Sequence, residues 1–173
     1  MVGLERGTVA LVPHDPAWRE AYEAEVERLE SIAGDRFLGY EHVGSTAIEG
    51  IPAKPVIDLL ALVEDLTTAR DLVPELTDHG YEHRPDGDVA GRIFLARGPR
   101  SNRTHYLSIT ERGSEVHRES VAFRDHLREN PSVAEEYAAL KRNLAAEYPD
   151  DRDAYTAAKG EFVERVLDRA LHG

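Results

Sequence analysis

The sequence predicts an α+β protein, a small mixed β-sheet with flanking helices followed by a helical C-terminal third. Three observations carry this. Trp18, Tyr22, Val26 and Leu29 recur at helical spacing; Pro55 to Val63 is a near-continuous apolar run of strand length; and from Ser114 onward the chain reads as helices.

In order, Thr8 to Val12 is a short β-like run ended by Pro13. Asp15 is placed to cap a helix over Ala17 to Ile32, with Pro16 at its first position. Phe37 to Val43 reads as a strand, and the Gly44-Ser45-Thr46 turn leads into a brief helical segment closed by Gly50. Pro55 to Val63 is expected to be central in the sheet, because strands buried on both faces lose the usual alternation. Thr67 or Thr68 caps a helix ending near His79 and Gly80, which Pro74 kinks or splits. Asp86-Gly87-Asp88 marks a turn. Arg92 to Ala96 and Thr104 to Thr110 form an antiparallel pair joined by the segment from Gly98 to Asn102. Helices then run from Glu115 to Glu129, Ser132 to Glu147 and Asp151 to Leu171, each break carrying a Pro near a helix start.

At 173 residues and 41% hydrophobic, the chain has material for one well-buried core, read as a single domain over residues 1–173. It holds no run of roughly 18 apolar residues, and Met1 to Val12 lacks the basic and apolar regions of a signal peptide, so the expected location is the cytoplasm, without membrane contact. With no Cys there is neither a disulfide framework nor a thiolate metal site. The formal charge of −12 argues against a surface that coats long nucleic acid, which needs Lys and Arg to displace counterions. Lys54, Lys141 and Lys159 are the only lysines beside abundant Arg, a bias that high genomic GC content or adaptation to salt would each produce.

The chemistry concentrates between Glu41 and Val63. Asp58 is a lone acid within Ile57 to Val63, and a carboxylate there is costly to desolvate without a compensating metal, Lys or set of amides. Gly44, Ser45 and Thr46 turn into a helix start, an arrangement suited to phosphate, with Lys54 near enough along the chain to steady it. The plainer alternatives are that Gly44 meets a backbone need, that Ser45 caps, and that Asp58 pairs with Lys54 or a buried Arg.

These residues resemble the hallmark of the GrpB (UPF0157) family, Glu-His-x-Gly-Ser-Thr-Ala followed by Lys-Pro-x-x-Asp, here on Glu41, His42, Gly44 to Ala47, Lys54, Pro55 and Asp58. The similarity extends to Thr104-His105, Phe123-Arg124-Asp125, Tyr137 to Lys141 and Tyr148 to Arg152. It implies a nucleotidyltransferase-type sheet of the DNA polymerase β-like kind. It further implies a nucleoside triphosphate, and a divalent ion used to transfer a nucleotidyl group to an unidentified hydroxyl. Two departures stand out. That superfamily pairs two acids one residue apart, yet position 60 is Leu, and many relatives carry a second His where this chain has Ser108.

On this reading Asp58 holds Mg²⁺ or Mn²⁺, with Glu41, His42 or His105 supplying a further donor; Glu64 is excluded, since six residues of strand span about 20 Å. His42 and His105 are also candidate general bases, and structural hydrogen-bonding is the alternative for each. Arg92, Arg100 and Arg103 surround the second hairpin as a local anion site or as solvated charges, and the other histidines show no metal spacing. Val133, Tyr137, Leu140 and Leu144 form a core stripe, and Asp150, Asp151 and Asp153 an acidic helix start. Leu60 favours a second class of function, a non-catalytic module binding a nucleotide or other phosphorylated metabolite. A link to coenzyme A metabolism is a further option, since GrpB-like domains occur fused to dephospho-CoA kinase.

Overall fold

The computed structural model describes residues 2–5 and 9–172. Thr8 lies outside them, while Val12 at the other end of that short run bridges to Ala53. Helix α1 (Ala17–Ala33) buries Trp18, Leu29 and Ala33, and the Asp15 carboxylate accepts the Ala17 N–H at 2.9 Å. Strand β1 (Gly39–Val43) and a single 3₁₀ turn (Ser45–Ala47) lead to β2 (Ile57–Val63). Helix α2 (Leu66–Thr77) follows, then β3 (Tyr81–His83), β4 (Arg92–Arg97) and β5 (His105–Glu111). Helices α3 (Glu115–Glu129), α4 (Pro131–Glu147) and α5 (Arg152–His172) complete the chain.

The sheet order is β1-β2-β5-β4-β3. Only β2 and β5 run parallel; the other neighbours are antiparallel, so the sheet is mixed as expected. β2 is an interior strand, as its apolar run led us to expect, paired by β1 on one edge and β5 on the other, and β3 adds an edge strand beyond β4 that three residues after Gly80 do not announce. The α2 cap is Asp65, whose carboxylate accepts the Thr68 N–H at 2.9 Å, and Pro74 sits inside the helix without ending it.

The pleat of β2 sorts its side chains between two faces of the sheet. Ile57, Leu59, Ala61 and Val63 pack beneath α1 and α2 with Leu107 and Ile109 of β5. Alternation turns Asp58 and Leu60 to the opposite face, where β5 offers Tyr106 and Ser108 in register. A second apolar cluster, including Ile48, Tyr137, Phe162 and Val166, joins α4 and α5 on that side. The expected stripe on α4 is there, with Tyr137 and Leu144 buried. Burial of Glu25 in α1 is compensated by Arg97 at 2.7 Å, Arg28 at 3.2 Å and the Tyr81 hydroxyl.

Candidate functional site

Val43 pairs with Asp58, and Gly44, at φ +75°, lays its backbone against that acid. A Cβ at position 44 would stand 2.5 Å from Asp58 Oδ2. Turn and acid therefore meet, which the Gly-Ser and Lys-Pro-x-x-Asp spacing led us to expect. Both open into a cavity of about 760 Å³ between this face of the sheet and α3, α4 and α5. Its volume suits a small molecule.

The charges lining the cavity are six basic side chains against three acids, the reverse of the chain as a whole. All three lysines reach it from separate parts of the chain: Lys54 before β2, Lys141 in α4 and Lys159 in α5. Lys54 and Lys159 lie over the Tyr155 ring at 5.2 and 5.4 Å, and Arg152 lies over Tyr106 at 5.1 Å. Lys141, 1% exposed, donates to the Pro52 carbonyl at 2.7 Å. Burial pushes the Lys141 ammonium down to about 6, with Lys159 and Lys54 adding repulsion, and burial pushes Lys54 down to about 7. Burial raises the Asp58 carboxyl above its usual range, opposed by Lys54, Lys159, Arg152 and Lys141. Two buried polar atoms of the wall, Arg92 Nε and the Tyr155 hydroxyl, make no hydrogen bond among the described residues.

The other expected site residues divide between the two faces. His42 is in register with Leu59 and His105 with Ile57, so both imidazoles point toward α1 and α2, away from Asp58. The expectation that either acts beside Asp58 is corrected by the pleat. His42 stacks on Tyr22 at 4.7 Å, and its Nε2 lies 2.9 Å from Thr46 Oγ1. Thr46 thus spends its hydroxyl on the far side, leaving Ser45 at the cavity, 3.5 Å from the Tyr137 hydroxyl. Burial, reinforced by Arg128 and Arg124, lowers His42 to about 4; burial alone leads the fall of His105 to about 4. Glu41 shares the Asp58 face through its pairing with Leu60, but its carboxylate is held by Arg124 at 2.7 Å. One 3₁₀ turn also supplies little dipole, so the groups here that suit a phosphate are amides and lysines rather than a helix end. Of the three hairpin arginines, Arg92 reaches the cavity, whereas buried Arg103 is bound to the Gly98 carbonyl and Glu82.

No group of three or more metal-capable side chains occurs among the described residues, Leu60 stands where a second acid is expected, and the charges acting on Asp58 are ammonium and guanidinium groups.

The GrpB protein family model matches residues 8–169. The chain belongs to the GrpB family. A glutamate-rich protein GrpB from Alkalihalophilus pseudofirmus is 37% identical over 97% of this chain and 99% of its own length. A UPF0157 protein of Pseudomonas aeruginosa is 38% identical over 94% of this chain and 68% of its own. The crystal structure of GrpB from Enterococcus faecalis superposes with a TM-score of 0.86 at 36% identity, covering 94% of this chain and 97% of that one. The α+β, nucleotidyltransferase-type fold implied by the hallmark is therefore the family's own. A dephospho-CoA kinase of Mycolicibacterium paratuberculosis is 32% identical over 96% of this chain, which spans 47% of that protein. No helix among the described residues is long and apolar enough to cross a membrane.

The sequence pattern points to Asp58, Gly44, Ser45 and Lys54 but not to Lys141, Lys159, Arg152 and Tyr155, which lie in helices that read as packing. Two signals mark some of them: Lys141 and Arg152 fall in stretches that share the GrpB resemblance, and Lys141 and Lys159 are the two lysines beyond Lys54 in a chain with three.

Proposed function

We propose that the cavity binds a phosphorylated small molecule, with a nucleoside triphosphate as the class the fold favours. The observation that carries this is the convergence of every lysine of the chain, with Arg92 and Arg152, on the cavity that the Gly44-Ser45 turn lines, in a protein with net charge −12. Buried ammonium groups are costly, and a phosphate anion is the ligand that offsets that cost. The first amides of the turn add donors, since the turn's own hydrogen bonds run from Ala47 and Ile48 back to Gly44 and Ser45.

Asp58 favours a second reading, transfer of a nucleotidyl group to a hydroxyl. A carboxyl with a raised pKa, set against the turn, is suited to accept the acceptor's proton. Titration calorimetry with the four nucleoside triphosphates and dephospho-CoA, with and without Mg²⁺, tests binding; pyrophosphate release tests transfer. Binding in the wild type, retained in Asp58→Asn while release is lost, supports both readings. Absence of binding for the whole panel overturns both. Binding without release, in every condition, leaves the binding module as the function.

A further inference from the structure

A second cavity, about 1160 Å³, lies on the far side of the Ser45–Ala47 turn, between the start of α1, strand β1, the end of α3 and the start of α4. Thr46 lines both cavities, so this turn is their common wall. Two arginines of α3 grip it from the second side. Arg124, 9% exposed, donates to the His42 carbonyl at 3.2 Å, and Arg128 Nε donates to the Ala47 carbonyl at 2.9 Å.

The arginines differ in what remains to them. Arg124 is neutralised by Glu41 and Asp125, and Arg19 by Glu23. Arg128 has its Nε committed to backbone, and among the described residues no carboxylate lies within pairing distance of its terminal nitrogens. In the wall of the same cavity, His14 Nδ1 is buried without a hydrogen-bond partner among the described residues. Arg128, Arg124 and Arg19, which line the cavity with His42, each act against a positive charge on its ring. Glu49 and Glu135 also line the cavity and are exposed, as Arg128 is, and neither pairs with its guanidinium among the described residues.

We propose that this cavity is a second ligand site, taking a small molecule through a carboxylate or phosphate group held by Arg128, with His14 Nδ1 in the same wall as a further polar contact. A guanidinium fixed at Nε presents its two terminal nitrogens as a planar fork, the geometry that matches two oxygens of an oxyanion. The occupant would touch the same turn that faces the lysine cavity, through Arg128 and the Ala47 carbonyl on one side and the His42–Thr46 hydrogen bond on the other. Ligands in the two cavities thus share one structural wall, and the second cavity is placed to hold the partner molecule of a two-ligand protein.

The test is a ¹H–¹⁵N NMR titration of the full chain with two probes, succinate and inorganic phosphate, following the Thr46 and Ala47 amides and Arg128 Nε. Saturable shifts at all three are expected, weakened about tenfold in Arg128→Gln, which removes the charged fork at an exposed position. Lys159→Met, in the other cavity, is expected to leave the Ala47 and Arg128 Nε shifts unchanged, since those two residues line the second cavity alone. Whichever probe saturates identifies the oxyanion class. No saturable shift with either probe overturns the proposal, as does binding that survives Arg128→Gln or disappears with Lys159→Met.

Discussion

Gly44 shows how one residue joins two parts of the site. Its φ of +75° lies where side chains are strained, and an added Cβ meets the Asp58 carboxylate at 2.5 Å. Gly44→Ala should therefore cost about 1–3 kcal/mol in urea unfolding. The same contact was legible in the sequence, because a Gly-Ser turn and a strand acid at this spacing belong to adjacent strands. The facing of the histidines was not. Whether His42 and His105 look toward or away from Asp58 depends on register, and one residue of slip reverses it. Their burial has a measurable consequence. Both imidazoles should remain neutral at pH 6 and titrate near 4, seen as ring ¹⁵N shifts; midpoints near 6.5 would contradict the packing described. A folded value below the unfolded one gives His42 a contribution to stability that is present above pH 6.5 and lost as the pH falls toward 4.

Strands and helices were read from periodicity, and the elements with strong periods are where the sequence placed them. Helices α1 and α3 to α5 begin and end within a residue or two of their Pro and cap signals, since those signals act locally. Strand β3 escaped because Tyr81-Glu82-His83 is too short to show alternation, and its pairing with β4 is a long-range choice. The cap of α3 carries a prediction at this scale. The Ser114 hydroxyl accepts the His117 N–H at 3.2 Å and also meets Thr110 Oγ1 at 2.8 Å. Ser114→Ala should then cost about 1 kcal/mol, measured by denaturant midpoint with unchanged slope. A loss that small would still matter to the site, because α3 brings Arg124 to Glu41 and closes one wall of the first cavity.

The lysine cavity exists only at the scale of the whole molecule, where α4 and α5 fold back over a sheet laid down far earlier in the chain. No local pattern announces that Lys54, Lys141 and Lys159 will meet, which is why helical periodicity assigns the last two no role. Their meeting should be visible in stability. The folded Lys141 value near 6 lies below the unfolded 10.5, so its contribution is present above pH 10.5 and lost as the pH falls through 6. Lys141→Met should gain on the wild type steadily as the pH is lowered from about 10 to 6, compared by thermal melts at each pH. A constant difference across that range would show that the ammonium is not buried among its neighbours.

Function at this scale reduces to whether those ammonium groups receive a phosphate. An arriving anion raises the pKa of Lys54 and Lys141, so binding at pH 8 must draw protons from the buffer. The decisive measurement is calorimetric titration of the protein with pyrophosphate at pH 8 in two buffers of different ionisation enthalpy, repeated on Lys54→Met/Lys159→Met. Saturable binding with net proton uptake is expected, weakened about tenfold or more in the double variant. Binding that takes up no protons and is indifferent to both lysines, or no binding at all, would contradict it.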